Sequence, residues 1–177
     1  MQDSGLVRRI DELGRIVIPK EIRRTLRIRS GDAIEINKEG ENLVLKKHSP
    51  FKDFGRLVES VADILSATLE KECVITDSDR IIHSSKKQGI EKGVLLTAFC
   101  NQLMNERKTC LYKSIEEKIP NLYIAEHVNE IKERLFVPIV KDGDCYGLMV
   151  ISSLNKPLCQ EDYSHIDLTL KILLGNL

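Results

Sequence analysis

Ser49-Pro50 cuts the chain, and the cut constrains everything before it. Serine followed by proline suits a helix N-cap and the first helical position, so a new helix is expected there. The segment ahead must therefore complete its own fold in about 47 residues. A monomer of that size buries too little apolar surface to stand alone without disulfides or metal, and the segment shows no sign of either. Dimerisation is the physical way out.

The local pattern says how such a unit is built. Leu6 to Ile10 reads as a strand, Asp11-Glu12-Leu13-Gly14 as a turn and Ile16-Val17-Ile18 as a second strand. Pro19 stops the sheet, and Lys20 to Arg27 reads as a short helix with proline at its first position and Ile22 and Leu26 on one face. No Ser, Thr, Asp or Asn precedes it to cap its amides. Ser30-Gly31-Asp32 is a turn, Ala33 to Asn37 a strand, Lys38 to Asn42 a turn around Gly40, and Leu43 to Lys47 the returning strand. Over residues 1–29, Arg8, Arg9, Arg15, Lys20, Arg23, Arg24, Arg27 and Arg29 face only Asp3, Asp11, Glu12 and Glu21. Eight cations against four carboxylates, in a chain whose 27 basic and 27 acidic side chains balance overall, mark a surface that meets phosphates.

Gly5 to Leu26, reading GLVRRIDELGRIVIPKEIRRTL, resembles the N-terminal DNA-binding domain of AbrB-type transition-state regulators of endospore-forming bacteria. The resemblance implies an all-β-rich, swapped-hairpin domain with one short helix, in which hairpins from two chains interleave into a shared barrel-like core. It implies that Arg8, Arg9, Arg15, Arg23 and Arg24 contact double-stranded DNA, with Lys20, Arg27 and Arg29 as secondary contributors. One departure is Asp3, which stands where a lysine is expected; a carboxylate there argues against a phosphate contact by the N-terminal tail.

Beyond the boundary, Phe51, Phe54, Leu57, Val58, Val61, Ile64, Leu65 and Leu69 recur at three- and four-residue steps. They predict one amphipathic helix of about 20 residues, with a stripe wide enough for both a core and a partner helix. Strands are expected at Cys73–Thr76, Arg80–His83, Thr109–Tyr112, Leu122–Ala125, Leu135–Val140 and Tyr146–Ser152, the last entered through a Lys141–Asp144 turn. Helices are expected at Ile90–Glu106 and at Glu161–Leu174, the latter with Tyr163, Ile166, Leu170 and Leu173 on one stripe. An antiparallel sheet flanked by helices is an α+β layout, and it resembles a GAF domain, a small-molecule sensor fold. The expected division is thus 1–50 for the DNA-binding domain, 51–55 for a linker and the start of the connecting helix, and 56–177 for a GAF-like regulatory and oligomerisation domain.

The rest of the sequence removes function classes. The polar start MQDSG and the lack of a long apolar run predict neither a signal peptide nor a membrane span, hence a cytoplasmic protein. Cys73, Cys100, Cys110, Cys145 and Cys159 form no CxxC, and His48, His83, His127 and His165 show no ligand spacing, so neither disulfides nor a metal is expected. No P-loop, G-x-S-x-G, HExxH or glycine-rich nucleotide fingerprint occurs, and no catalytic residue is assigned. No cofactor is expected beyond an unidentified small-molecule effector in the GAF-like domain. The reading is a homo-oligomeric transcriptional regulator of spore development: a homodimer through the N-terminal domain and a homotetramer through the C-terminal helices. The alternatives are an antitoxin built on the same DNA-binding domain and a thiol-dependent GAF-like enzyme.

Overall fold

The computed structural model describes residues 6–85, 90 and 92–177. Asp3, and part of the helix expected from Ile90, lie outside them. The chain divides into two compact units, Met1–His48 and Ser49–Leu177.

In the first unit, β1 (Ile34–Glu39) and β2 (Asn42–Lys47) form an antiparallel hairpin in continuous register from Ile34↔Lys47 to Glu39↔Asn42. Its loop is Gly40-Glu41, with φ of +63° at the glycine, the primed geometry that matches strand twist. The helix α1 covers Lys20–Thr25 only. Pro19 is its N-cap and not its first helical residue, and no side chain caps it. The helix stops early because the Ile28 amide bonds to the Arg23 carbonyl at 2.8 Å and the Arg27 amide to Arg24 at 3.3 Å, a Schellman closure with Arg27 left-handed at φ 54°. The strands expected at Leu6–Ile10 and Ile16–Ile18 do not form a ladder. One backbone bond, from the Asp11 amide to the Arg15 carbonyl at 3.1 Å, joins the two arms, because each lacks a neighbouring strand to pair with. No residue from 6 to 48 is buried, and Leu6, Val7, Ile10, Leu13, Ile16 and Val17 are all exposed.

The second unit is a five-stranded antiparallel sheet in the order β4-β3-β7-β6-β5, formed by β3 (Glu72–Thr76), β4 (Ile81–Ser84), β5 (Cys110–Lys113), β6 (Glu133–Lys141) and β7 (Asp144–Ser153). Alternation along the two central strands covers both faces. Leu135, Val137, Ile139, Met149 and Ile151 pack under α2 (Gly55–Leu69) and α4 (Gln160–Asn176). Phe136, Leu148 and Val150 face the other way, with α3 (Ala98–Glu106) and Leu122 over them. Asp142-Gly143 joins β6 to β7, both with positive φ, as a type I′ hairpin requires. At Gly147 a Cβ would stand 1.9 Å from the Thr76 carbonyl oxygen, so β7 can cross the end of β3 only without a side chain.

Several expected elements are redrawn by packing. The single helix from Pro50 breaks into a 3₁₀ turn, Pro50–Lys52, and α2, and the break falls at Asp53-Phe54, where Phe54 leaves helical geometry at φ −113° and becomes the N-cap of α2. The α3 helix begins at Ala98, because Gly93 to Leu96 is spent on β4: Gly93 donates to Ile81, Ile81 to Val94, and Leu95 bridges Arg80. Leu122–Ala125 is not a strand; the Leu122 carbonyl accepts the Thr97 amide at the start of α3, and its own amide goes to Glu126. On α4 the buried stripe is Asp162, Ile166, Thr169 and Leu173, with Tyr163 outside it. Asp162 can be buried because it accepts from Lys71 Nζ and from the Cys159 amide, each at 2.9 Å. No helix among the described residues is long and apolar enough to cross a membrane.

Candidate nucleic-acid interface

Most of the arginines of the first unit sit on short, exposed scaffolding. Arg8 and Arg9 lie on the first arm; among the described residues Arg8 donates only to its neighbour, the Val7 carbonyl, at 3.4 Å. Arg23 and Arg24 lie side by side in the last turn of α1, and Lys20 opens that helix. The side chains of Arg9, Arg23 and Arg24 make no hydrogen bond or ion pair among the described residues, which leaves their full donor sets to an anionic partner. Arg27 is half-buried after the helix end, and Arg29 is exposed, its backbone amide held by Asp32 Oδ2 at 2.7 Å. Asp32 also pairs with Lys47 at 3.0 Å, tying the helix exit to β2.

Arg15 differs from the other arginines. Asp11 Oδ1 accepts the amides of Leu13 (3.0 Å) and Arg15 (2.8 Å), and Oδ2 accepts Arg15 Nε at 2.7 Å. The Gly14 amide returns to the Asp11 carbonyl at 2.9 Å, with Gly14 at φ +77°. The loop is thus organised by one carboxylate although its flanking arms are unpaired. The Arg15 amide and then the Arg15 guanidinium hold the Asp11 carboxyl below its ordinary range. Sequence reading took Asp11 as a turn residue and missed this role; the readable signal is that Asp side chains bond the backbone two residues on.

The second unit offers different chemistry. Arg134 on β6 is 2% exposed and donates from Nη2 to Glu126 Oε1 at 2.6 Å, from Nη1 to Glu126 Oε2 at 2.9 Å and to the Pro120 carbonyl at 3.0 Å, and from Nε to Ser152 Oγ at 2.9 Å. This pair clips residues 120–126 onto the face of the sheet at β6. Three of the five thiols are made poor nucleophiles by burial: burial, then Asp63, pushes Cys73 up to about 12, and burial also raises Cys100 and Cys145. Among the described residues no group of three His, Cys, Asp or Glu is placed to hold a metal ion.

Comparison with known proteins adds to this geometry. The family pattern described as stage V sporulation protein T C-terminal, transcription factor, matches residues 53–166. A second, antidote-toxin recognition MazE, bacterial antitoxin, matches residues 7–53. Stage V sporulation protein T of Bacillus subtilis (strain 168) is 36% identical over 173 residues, covering 94% of this chain and 93% of the relative. Transition state regulatory protein AbrB of the same organism is 54% identical over 50 residues, 28% of this chain and 52% of that protein. Among solved structures, type II free methionine-R-sulfoxide reductase from Thermoplasma acidophilum aligns with a TM-score of 0.57 at 13% identity, over 71% of this chain and 94% of its own. The GAF domain region of a putative membrane protein from Geobacter sulfurreducens PCA aligns at 0.54 and 14%, over 72% and 94%. At such identities these two likenesses show a GAF-like fold and nothing of its chemistry.

Proposed function

The chain belongs to the stage V sporulation protein T family of transcription factors, and from that premise we propose how its two units divide the work. The protein is a DNA-binding regulator of sporulation genes with a GAF-like C-terminal unit. Its partner is double-stranded DNA, gripped by Arg8, Arg9, Arg15, Arg23 and Arg24, with Lys20, Arg27 and Arg29 adding charge around them. The observation that carries this is the pairing of exposed Arg9, Arg23 and Arg24, whose side chains have no partner among the described residues, with a unit that buries none of its residues 6–48. Such a unit needs a second chain to gain an interior, and dimerisation doubles the number of phosphate contacts.

The GAF-like unit sets assembly and response. Ile64 on α2 and Leu168 and Ile172 on α4 are exposed apolar residues on helices whose other faces are core, which supports a helical bundle between chains and a homotetramer. An unidentified small-molecule effector acts there by binding two arrangements unequally, a coupling that must be reciprocal with DNA. Only His48 and Ser49 separate β2 from the 3₁₀ turn that leads into α2, so little slack exists to absorb such a change. The protein works in the cytoplasm, where bacterial DNA is. The antitoxin alternative draws on the match to residues 7–53, but Ser49–Leu177 is one compact unit and not a short disordered toxin-binding tail. For the enzyme alternative, burial leaves Cys73, Cys100 and Cys145 poor nucleophiles.

Mapping of bound DNA across the genome of sporulating cells, with salt titration of the full chain on a recovered site, tests the reading. Arg23→Ala removes two contacts per dimer and should flatten the slope of log affinity against log salt by about 1.8. An unchanged affinity and slope for Arg8→Ala, Arg15→Ala and Arg23→Ala alike would discard this face.

A further inference from the structure

The arginines of the first unit are not equivalent, and the difference lies in orientation. A guanidinium presents five N–H donors in a rigid plane. In Arg15 the Nε edge is bound by Asp11 Oδ2 at 2.7 Å, while Oδ1 of the same carboxylate is fixed by two loop amides. The plane of the group is therefore set by the loop. Nη1 and Nη2, the far end of the fork, have no partner among the described residues. That end matches the O6 and N7 acceptors of guanine in the major groove, where two hydrogen bonds must be aimed together. Phosphate demands no such aim, since charge is neutralised wherever it lies along the backbone. Arg9, Arg23 and Arg24, without a brace, suit that task.

The sign of the brace supports the same division. A carboxylate beside Arg15 offsets the charge that draws the loop to phosphate, so it opposes non-specific binding. Holding one rotamer in advance lowers the ordering cost of a directed contact, which is a gain for base recognition. Resting on the DNA-binding reading above, we propose that Arg15 reads guanine and that Asp11 is its positioning residue.

The test uses the full chain. A preferred duplex is selected from a pool with a randomised 20-base-pair window, about two turns of B-form DNA, and each guanine in it is replaced in turn by 7-deazaguanine, which lacks the N7 acceptor. The wild type should lose about five-fold or more in affinity at one guanine per half-site, the lower end of what a bidentate pair discriminates. Asp11→Asn keeps an oxygen for the Leu13 and Arg15 amides but presents no charge to Nε. Its ratio of guanine to 7-deazaguanine affinity should fall towards one, a larger loss than it shows on mixed-sequence competitor duplex. Because the ratio is taken within one preparation, any misfolded fraction cancels. Arg15→Lys keeps the charge without the fork and should behave likewise; it decides alone if Asp11→Asn does not fold. A wild type indifferent to every replacement overturns the proposal, as does a variant that retains the wild-type ratio or loses equally on both DNAs. Salt-dependent binding without sensitivity to 7-deazaguanine overturns only this assignment, whereas no salt-dependent binding to any duplex overturns the DNA-binding reading beneath it.

Discussion

Replacing Arg134 by methionine should cost far more than removing it together with its partner. Glu126 is buried beside Arg134, its side chain only 7% exposed, and in the single variant its carboxylate keeps the Leu122 amide but loses the cation. An uncompensated charge at such a site costs about 3–5 kcal/mol. At a urea m-value of about 2 kcal/mol/M, the midpoint for the second unit should fall by roughly 2 M. Arg134→Met with Glu126→Leu removes both charges and leaves Ser152 Oγ, the Pro120 carbonyl and the Leu122 amide to find new partners, so the double variant should recover a large part of the loss. Urea unfolding followed by far-UV circular dichroism measures the wild type, Arg134→Met, Glu126→Leu and the double variant. Hydrogen exchange adds a local readout: the Thr97 amide, bonded to the Leu122 carbonyl, should exchange faster in the single variant. A single variant costing under about 1 kcal/mol, or a double variant as unstable as the sum of the two singles, would refute the account of this node as a matched buried pair.

Three further outcomes follow from the geometry. Gly147→Ala sets a methyl against the Thr76 carbonyl and should cost about 2–4 kcal/mol, read as a lowered melting temperature. Burial raises Asp162, but the Cys159 amide and Lys71 outweigh it and hold the carboxyl below its usual range. Its stabilising effect is therefore full above the unfolded pKa of about 3.9 and fades as pH falls through the lower folded value; Asp162→Asn should cost about 3 kcal/mol near pH 7, with the gap closing in acid. Sedimentation should report four chains for the full-length protein at micromolar concentration, and a dimer or monomer would refute the helical-bundle assembly.

What the sequence made legible was what depends on period and punctuation. The apolar run from Leu135 to Val140, the Asp142-Gly143 turn and the spacing of Val58, Leu65 and Leu69 each follow from residues near one another in the chain. Three of the failures share a cause in partners distant in sequence. Gly93 to Leu96 reads as helix until β4 claims its amides. Leu122 reads as strand until Thr97 takes its carbonyl, and Asp162 looks solvent-facing until Lys71 arrives from 91 residues away. In the candidate interface the arginines were legible as charge, while the Asp11 brace was hidden because side-chain geometry within a five-residue loop leaves no periodic trace.

A DNA-reading unit without an interior moves its folding problem into mass action. Under dimerisation its formation is second order in chain, so each tenfold drop in concentration costs the folded pair about 1.4 kcal/mol. Copy number then governs more than occupancy of sites: it governs how much of the reading head exists, and chains made singly remain open to proteases until they meet. A rising supply of protein would switch such a regulator on more steeply than binding to DNA alone predicts, and dilution as a cell grows would switch it off without any effector.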